Sequence, residues 1–475
     1  MVALWSSLTG KTKLKRILIA NRGEIACRIA QTARRMGIET VGVHSEADEQ
    51  SKHVAVCDRS HFIGPSDARQ SYLDIEKILQ AARDSGADAL HPGYGFLSEN
   101  PALAHACQEA GILFIGPDPE AITAMADKAR AKFYAQRAGM PLIPGYYGDS
   151  QDDVLLRAEA DQIGYPVIIK ARKGGGGRGM RIVRKSDDFE GALASCRREA
   201  LAGFGDDTVM VERYIESPRH IEVQVFGDRH GNVLYLFERD CSVQRRHQKV
   251  IEESPAFGIS EVQRHAMGQA AAALARSVGY VGAGTVECIV DPDGNFYFLE
   301  MNTRLQVEHG VTEQVLGLDL VEWQLRVARG EPLPLTQEEL CLDGHCFEVR
   351  VCAERPAKGF LPSVGKIETF SLPDHIEFGH GPVRVDSGVR AQDSVSPYYD
   401  SMIAKVLVHG RNRNDARLAL LQALDRIEIS GVQTNLEFLK AIFAHPEFEA
   451  GGVHTGFIDT HLKTLLNNTS MQNSI

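Results

Sequence analysis

Two glutamates stand on either side of a turn signal in Thr285-Val-Glu287-Cys-Ile-Val-Asp-Pro-Asp293-Gly294-Asn-Phe-Tyr-Phe-Leu-Glu300-Met-Asn302. Asp-Gly between two alternating runs predicts a hairpin with a two-residue turn. Counting back from that turn sets Glu287 directly opposite Glu300. Carboxylates at cross-strand distance repel each other. One shared proton would relieve them, but at neutral pH a divalent cation is the better answer, and Mg²⁺ takes such hard oxygen ligands together with phosphate oxygens. Asn302, Arg304, Gln306 and Glu308 continue with a period of two and are expected on one face of the same strand. The residues between them read as buried, and an unsatisfied polar stripe inside a core is strongly destabilising unless it binds something. The stripe is therefore expected to form the floor of an active site.

Pro166-Val-Ile-Ile-Lys170 reads as a buried strand ending in a lysine, with Gly174, Gly175, Gly176 and Gly177 shortly after it. Ordering consecutive glycines is entropically unfavourable. Bare backbone N–H groups closing over phosphates are one reason to retain them; a flexible surface turn is the plainer one. Lys170, Arg172, Lys173 and Arg178 favour an anionic ligand. The lysine precedes the glycines, so the G-x-x-x-x-G-K-[ST] phosphate loop is absent and a mobile lid over a nucleotide is expected. Arg219-His220-Ile-Glu222-Val-Gln224 and the run from Arg239 to Lys249 are further strands with polar residues aimed one way. Alone, His220, His247 or Lys249 would be structural or surface residues. Together with Gln244 and the neighbouring arginines they form a basic cluster suited to phosphate or bicarbonate.

The elements that must position these groups follow from alternation. Arg16–Ala20, Ile38–Val43, Ala87–Leu90 and Ile112–Ile115 read as strands, with helices from about Glu24 and over Tyr72–Arg83, which predicts a parallel sheet covered on both faces. Gly23 stands alone in the first turn, so the G-x-G-x-x-G dinucleotide fingerprint fails. Gly10-Lys11-Thr12 imitates the end of a phosphate loop but has no strand before it. Between His345 and Gly451, strands Phe347–Cys352 and Met402–Val408 alternate with helices Asp415–Asp425 and Thr434–Phe443, suggesting a separate α+β domain. Thr336–Gly344 reads as its linker, and Asn467–Ile475 as a frayed polar tail. The chain has 475 residues, net charge −11, 43% hydrophobic and 24% charged residues, values of a globular protein of about three domains. The acidic total argues against nucleic acid or membrane as main partner, no apolar run reaches the length of a span, and nine scattered cysteines without a C-x-x-C pair read as reduced thiols of the cytoplasm.

Four strings then resemble a known family: Ile17-Leu-Ile-Ala-Asn-Arg-Gly-Glu-Ile-Ala26, His91-Pro-Gly-Tyr-Gly-Phe-Leu-Ser-Glu-Asn100, Glu238-Arg-Asp-Cys-Ser-Val-Gln-Arg-Arg-His-Gln-Lys249 and Glu300-Met-Asn-Thr-Arg-Leu-Gln-Val-Glu-His309. In this order they resemble the biotin carboxylase component of biotin-dependent carboxylases, over roughly Lys13 to Leu465. The resemblance implies an α/β and α+β ATP-grasp fold. Its parts would be an N-terminal Rossmann-like domain at 13–127, an ATP-grasp domain at 128–335 with a lid at about 142–215, a C-terminal domain at 345–455 and a tail at 456–475. It also implies roles. Lys128 and Lys170 would contact ATP phosphates, Gly174 to Gly177 would close over them, and Glu212, Arg213 and Ile215 would hold the adenine, with His220, Gln244 and His247 lining the site. Glu287, Glu300 and Asn302 would hold Mg²⁺ or Mn²⁺. Lys249, Arg304, Gln306 and Val307, through its backbone, would bind bicarbonate. Glu308 would act as general base, and Arg350 would stabilise the biotin enolate. The implied partners are a biotin carrier, a carboxyltransferase and a second copy of the chain in a homodimer.

The chain departs from the family pattern at Gly310, where proline is usual, at Arg213, where lysine is frequent, and at Arg172-Lys173, which replace small residues. The segments Val211–Gln224, Phe237–Ile251 and Leu320–Leu325 look closest to the 3-methylcrotonoyl-CoA and geranyl-CoA carboxylase type. No Met-Lys-Met carrier segment is present, so the carrier is expected either on a separate polypeptide or on a part of a longer chain. Two other readings remain open at this point: an ATP-grasp ligase joining a carboxylate to an amine, and a catalytically impaired homologue, motivated by Gly310.

Overall fold

The computed structural model describes residues 14–173, 179–246 and 248–472, with side chains to Asn467. Gly174 to Gly177, Arg178, His247 and Gly10-Lys11-Thr12 lie outside the described residues.

The chain opens with a five-stranded parallel sheet in the order β3-β2-β1-β4-β5, built from β1 (Arg16–Ile19), β2 (Glu39–Ser45), β3 (Arg59–Gly64), β4 (Ala89–His91) and β5 (Leu113–Phe114). Ile17, Leu18 and Ile19 are fully buried, as expected of a strand covered on both faces. The expected helix from Tyr72 begins later, spanning Ile75–Ser85, because the Asp74 side chain accepts the Lys77 amide and caps it there. Asn21, just past β1, donates to the carbonyls of Pro92 and Tyr94 at 2.8 and 2.7 Å. That clamp ties the first turn to the His91–Asn100 loop.

A small antiparallel sheet follows, with β6 (Gly145–Tyr146), β7 (Val167–Ala171), β8 (Met180–Val183) and β9 (Val209–Arg213) in the order β6-β9-β7-β8. Helices Asp153–Ile163 and Phe189–Phe204 cover it, and Leu156, Ile169, Val183, Phe189, Leu193 and Val211 give it its own core. A separate core is what lets such a unit move as a body.

The largest sheet is antiparallel, with β10 (Arg219–Gly227), β11 (Val233–Arg245), β12 (Gln248–Ser254), β13 (Gly282–Val290), β14 (Phe296–Asn302) and β15 (His345–Cys352). Its order is β14-β13-β10-β11-β12-β15, continued by strands Met402–Gly410 and Val383–Ser387. The expected separate C-terminal domain therefore shares a sheet with the middle segment, through the β12–β15 pair. Thr336–Gly344 is likewise no free linker: Gln337 exchanges hydrogen bonds with the Tyr235 backbone at 3.0 and 3.1 Å. Helices Arg413–Asp425 and Leu436–Phe443 pack on the far end, and helix Phe457–Gln472 continues into the segment expected to fray.

Glu287 does face Glu300, but by a different route from the two-residue turn. Asp291 pairs with Asn295, which leaves a three-residue loop, Pro292–Gly294, with Gly294 at φ +87°. That shifts the register by one, and a bulge at Leu299 shifts it back before Glu300. The stripe beyond Asn302 is also corrected. β14 stops at Asn302, Arg304 and Gln306 lie in a loop, and Glu308 immediately precedes helix His309–Leu316.

Candidate active site

Cross-strand register builds the charged row. Glu222 on β10 pairs with Glu287 on β13, which pairs with Glu300 on β14, while Arg239 on β11 pairs with Glu222 from the other side. Three carboxylates on neighbouring strands need countercharge. Lys249 supplies it for two of them, its Nζ lying 2.5 Å from Glu222 and 2.8 Å from Glu287, and it also meets Glu308 at 2.6 Å. Within the expected basic cluster, the Lys249 ammonium is thus held by three carboxylates. Arg239 completes the floor, donating to Glu222 at 2.6 Å, Gln224 at 2.8 Å and Gln306 at 2.9 Å.

Glu287 is the hub. It accepts from Asn302 and Gln306, each at 2.9 Å, and its other oxygen lies 3.0 Å from His220 Nε2. Gln244 in turn reaches His220 Nδ1 at 2.7 Å. Burial alone would raise the Glu287 carboxyl, but Lys249 and His220 hold it well below the usual range. Glu300 moves the opposite way, raised by burial and by the Glu287 charge facing it. A like-charged pair of hard oxygen donors, one ionised and one short of countercharge, is a fitting seat for Mg²⁺. The donor set of Glu287, Glu300 and the amide of Asn302 agrees with that ion.

Glu308 is bracketed by two cations, Lys249 and Arg350, whose Nη2 lies 3.0 Å from its second oxygen. Burial pushes its carboxyl up, but Lys249, Arg350 and Arg239 overcome that and keep it below the usual range, so it is charged at neutral pH. The two cations that keep Glu308 ionised also lower its basicity, so it takes a proton only from an acid brought directly against it. The Val307 carbonyl accepts from the buried Lys405 ammonium, which anchors the strap that carries Glu308. Arg304 reaches the N-terminal loop, where its Nε donates to Glu99 at 2.8 Å, and its Nη2 donates to Asn302 Oδ1 at 3.1 Å.

A second cluster lies on the small sheet that contains β7 and β9. Glu212 is fully buried and receives Lys170 at 2.6 Å, Lys132 at 2.7 Å and Tyr147 at 2.9 Å. Its side chain is thus committed inward, and Arg213 beside it is exposed. Ile215 is half-buried. Lys128 opens helix Lys128–Arg137; burial and then the neighbouring Lys170 lower its ammonium, while Glu300 works against both. Lys128 and Lys170, crowded together, attract phosphate oxygens. The departure at Arg172-Lys173 has a structural account here: Arg172 reaches Asp149 at 2.8 Å and Asp127 at 3.4 Å, and Lys173 reaches Asp206 at 2.8 Å.

Sequence reasoning did not assign Lys132, Arg239, Glu222 or Glu99 to the site. Arg239 and Glu222 carried a legible signal, since both lie on polar alternations inside strands. Lys132 and Glu99 sit in a helix and a loop and carried none.

Comparison with known proteins now fits this geometry to a class. Residues 13–122 match the family model described as biotin carboxylase, N-terminal domain. Residues 127–336 match the carbamoyl-phosphate synthase L chain ATP-binding domain, and residues 348–460 the biotin carboxylase C-terminal domain. The chain belongs to the biotin carboxylase family of ATP-grasp proteins. It is 48% identical to a biotin carboxylase of Halalkalibacterium halodurans over 452 residues, covering 94% of this chain and 98% of that one. It is 53% identical to the alpha subunit of mitochondrial methylcrotonoyl-CoA carboxylase of Mus musculus over 453 residues, 95% of this chain. The chain spans only 63% of that relative's length. A crystal structure of the biotin carboxylase domain dimer of Hydrogenobacter thermophilus 2-oxoglutarate carboxylase, in complex with MgADP, ADP and bicarbonate, superposes with TM-score 0.91 at 42% identity, covering 96% of this chain and 99% of that one.

Proposed function

We propose that this chain carboxylates biotin on a carrier protein, using ATP and bicarbonate, as the first half-reaction of an acyl-CoA carboxylase. The observation that carries the reading is the Lys249–Glu308–Arg350 array, a buried, ionised base between two partly buried cations beside the Glu287–Glu300 pair. Lys128 and Lys170 would hold ATP phosphates, with the Gly174–Gly177 segment over them and Glu212-Arg213 to Ile215, His220, Gln244 and His247 around the nucleotide. Glu287, Glu300 and Asn302 would hold Mg²⁺, which supplies charge neutralisation on the phosphates when bound. Lys249, Arg304, Gln306 and the Val307 backbone would bind bicarbonate. Glu308 takes the bicarbonate proton, and the freed oxyanion attacks the γ-phosphorus to give carboxyphosphate and ADP. Carboxyphosphate then breaks to CO₂ and phosphate, phosphate accepts the N1 proton of biotin, Arg350 opposes the negative charge that develops on the ureido oxygen, and N1 attacks CO₂ to give carboxybiotin. Covering the site protects the mixed anhydride from water.

The structure offers no sign of a loosened base at Gly310, because Glu308 is held by Lys249 and Arg350 and its neighbour Val307 by Lys405. An amine-joining ligase would not require the Arg304, Glu308 and Arg350 set. We further assign the domains as 13–127, 128–335 and 345–455, a homodimer as the working form, and a carrier and a carboxyltransferase as partners. The similarity to methylcrotonoyl-CoA carboxylase alpha subunits favours a branched unsaturated acyl-CoA as final acceptor. All nine cysteines are unpaired, which supports a reducing compartment; the cytoplasm is the setting expected from the sequence, whereas the animal and plant relatives are named as mitochondrial. Among the described residues no helix is long and apolar enough to cross a membrane. The test is incorporation of labelled bicarbonate into acid-labile carboxybiotin in the presence of MgATP and free biotin. Incorporation that depends on all three supports the reading; ATP turnover indifferent to biotin and bicarbonate overturns it.

A further inference from the structure

Behind Arg350 lie two glutamates that the mechanism above does not use. Glu252 on β12 and Glu348 on β15 are register partners across the strand pair that joins the middle and C-terminal segments, and neither has any solvent exposure. Arg350 spans the space between this pair and the active site. Its Nε donates to Glu252 Oε1 at 2.8 Å, its Nη2 lies 2.6 Å from the same oxygen, and that Nη2 also reaches Glu308 Oε2 at 3.0 Å. Glu252 is therefore the group that sets the guanidinium plane against the proposed base.

Glu348 has a different environment. Neither of its oxygens receives a hydrogen bond, and Glu252 Oε2 on the facing strand lacks one as well. Lys405 Nζ stands 3.6 Å from Glu348, but it also faces Glu24 at 3.7 Å and Asp386 at 3.9 Å and donates to Val307. One shared ammonium and one shared guanidinium leave the opposed carboxyls short of countercharge. Two buried like charges in that position cannot both persist, so one proton stays between them. It belongs on Glu348, which no N–H donor touches, and not on Glu252, which Arg350 grips. Burial, then Glu252, drives the Glu348 carboxyl well above the usual range, whereas burial with Glu308 takes Glu252 to about 7 against the pull of Arg350.

We propose that Glu252 is a positioning residue for carboxyl transfer to biotin, locking the Arg350 guanidinium toward the site while Glu348 behind it remains a neutral acid. This rests on the function proposed above, in which Arg350 faces biotin, while Glu308 keeps Lys249 as its other cation at 2.6 Å for the bicarbonate step.

The test separates those two stages at pH 8, with free biotin as the probe. Glu252→Gln is expected to keep the biotin-independent, bicarbonate-dependent ATPase and its KM for ATP within about twofold. The same variant should raise the KM for biotin or lower kcat of biotin carboxylation by roughly tenfold or more, and Glu252→Asp should recover part of the loss. Glu348→Gln, which matches a protonated glutamate in shape and charge, should leave both activities within about twofold. A Glu252→Gln protein with wild-type biotin kinetics overturns the assignment. So does equal loss of both activities in a folded variant, which marks a merely structural role. If Glu252→Gln does not fold, Glu252→Asp decides, and a KM for biotin unchanged in that variant overturns the proposal. A Glu348→Gln protein as impaired as Glu252→Gln overturns the neutral state of Glu348. Wild-type protein that fails to carboxylate biotin removes the functional reading itself, and this proposal with it.

Discussion

Lys249→Met removes one ammonium from contact with three carboxylates while keeping an apolar stem of similar length. The side chain is 12% exposed and its partners 0–6%, so solvent screens the loss weakly. Leaving a buried charge without its partner costs about 3–5 kcal/mol. The sign with pH follows from the neighbours. In the native protein Glu287 and Glu308 are held below the usual range, so their contribution to stability is present above an unfolded value of about 4.3 and is lost only as pH falls through their lowered folded values. Without Lys249, burial and mutual repulsion leave at least one carboxylate raised above its unfolded value. That group weakens the fold at high pH, and the deficit shrinks by about 1.4 kcal/mol per pH unit once pH falls below the raised value. Urea unfolding from pH 8.5 to 5.5, followed by far-UV circular dichroism, reads it out. The expected result is a deficit of about 3–5 kcal/mol at pH 8.5 that narrows steadily toward pH 5.5. A deficit below about 1 kcal/mol, the value of an exposed pair, or one constant across the range, would refute the reasoning.

Lys132 and Lys170 share Glu212 but should separate by assay. Lys132→Met is expected to lower stability by about 3 kcal/mol with a smaller effect on the KM for ATP, and Lys170→Met to raise that KM at least tenfold. A Cβ on Gly310 would meet Leu407 at 2.6 Å and Glu348 at 2.9 Å. Gly310→Pro should therefore destabilise by roughly 1–3 kcal/mol, seen as a lower thermal midpoint, and bring no gain in activity. Glu300→Gln removes one hard anionic donor and is expected to raise the Mg²⁺ concentration for half-maximal ATPase at least tenfold, while excess chelator abolishes turnover in the wild type.

The parallel sheet and its helices were legible because β-branched runs and helical periods repeat locally, as in Arg16–Ile19 and Gly23–Arg35. The pairing of Glu287 with Glu300 was legible only in outcome: a longer turn and the Leu299 bulge offset each other, and neither leaves a mark in the hydrophobic pattern. Arg304, Gln306 and Glu308 read as strand because their alternation is real, yet the backbone leaves the sheet at Asn302. The contacts of Lys249 with Glu222, Glu287 and Glu308 span strands far apart in sequence, and local spacing carries no such information. The same holds for the β12–β15 pair, which fuses two segments that composition divides and sets Glu252 behind Arg350.

The central claim is that Glu308 activates bicarbonate to attack the γ-phosphate of ATP. Bicarbonate labelled with ¹⁸O, incubated with the protein, MgATP and biotin, tests it through the mass of the inorganic phosphate released. The account predicts one ¹⁸O atom from bicarbonate in each phosphate, at a rate that collapses in Glu308→Gln. Phosphate that carries oxygen from water alone would contradict it.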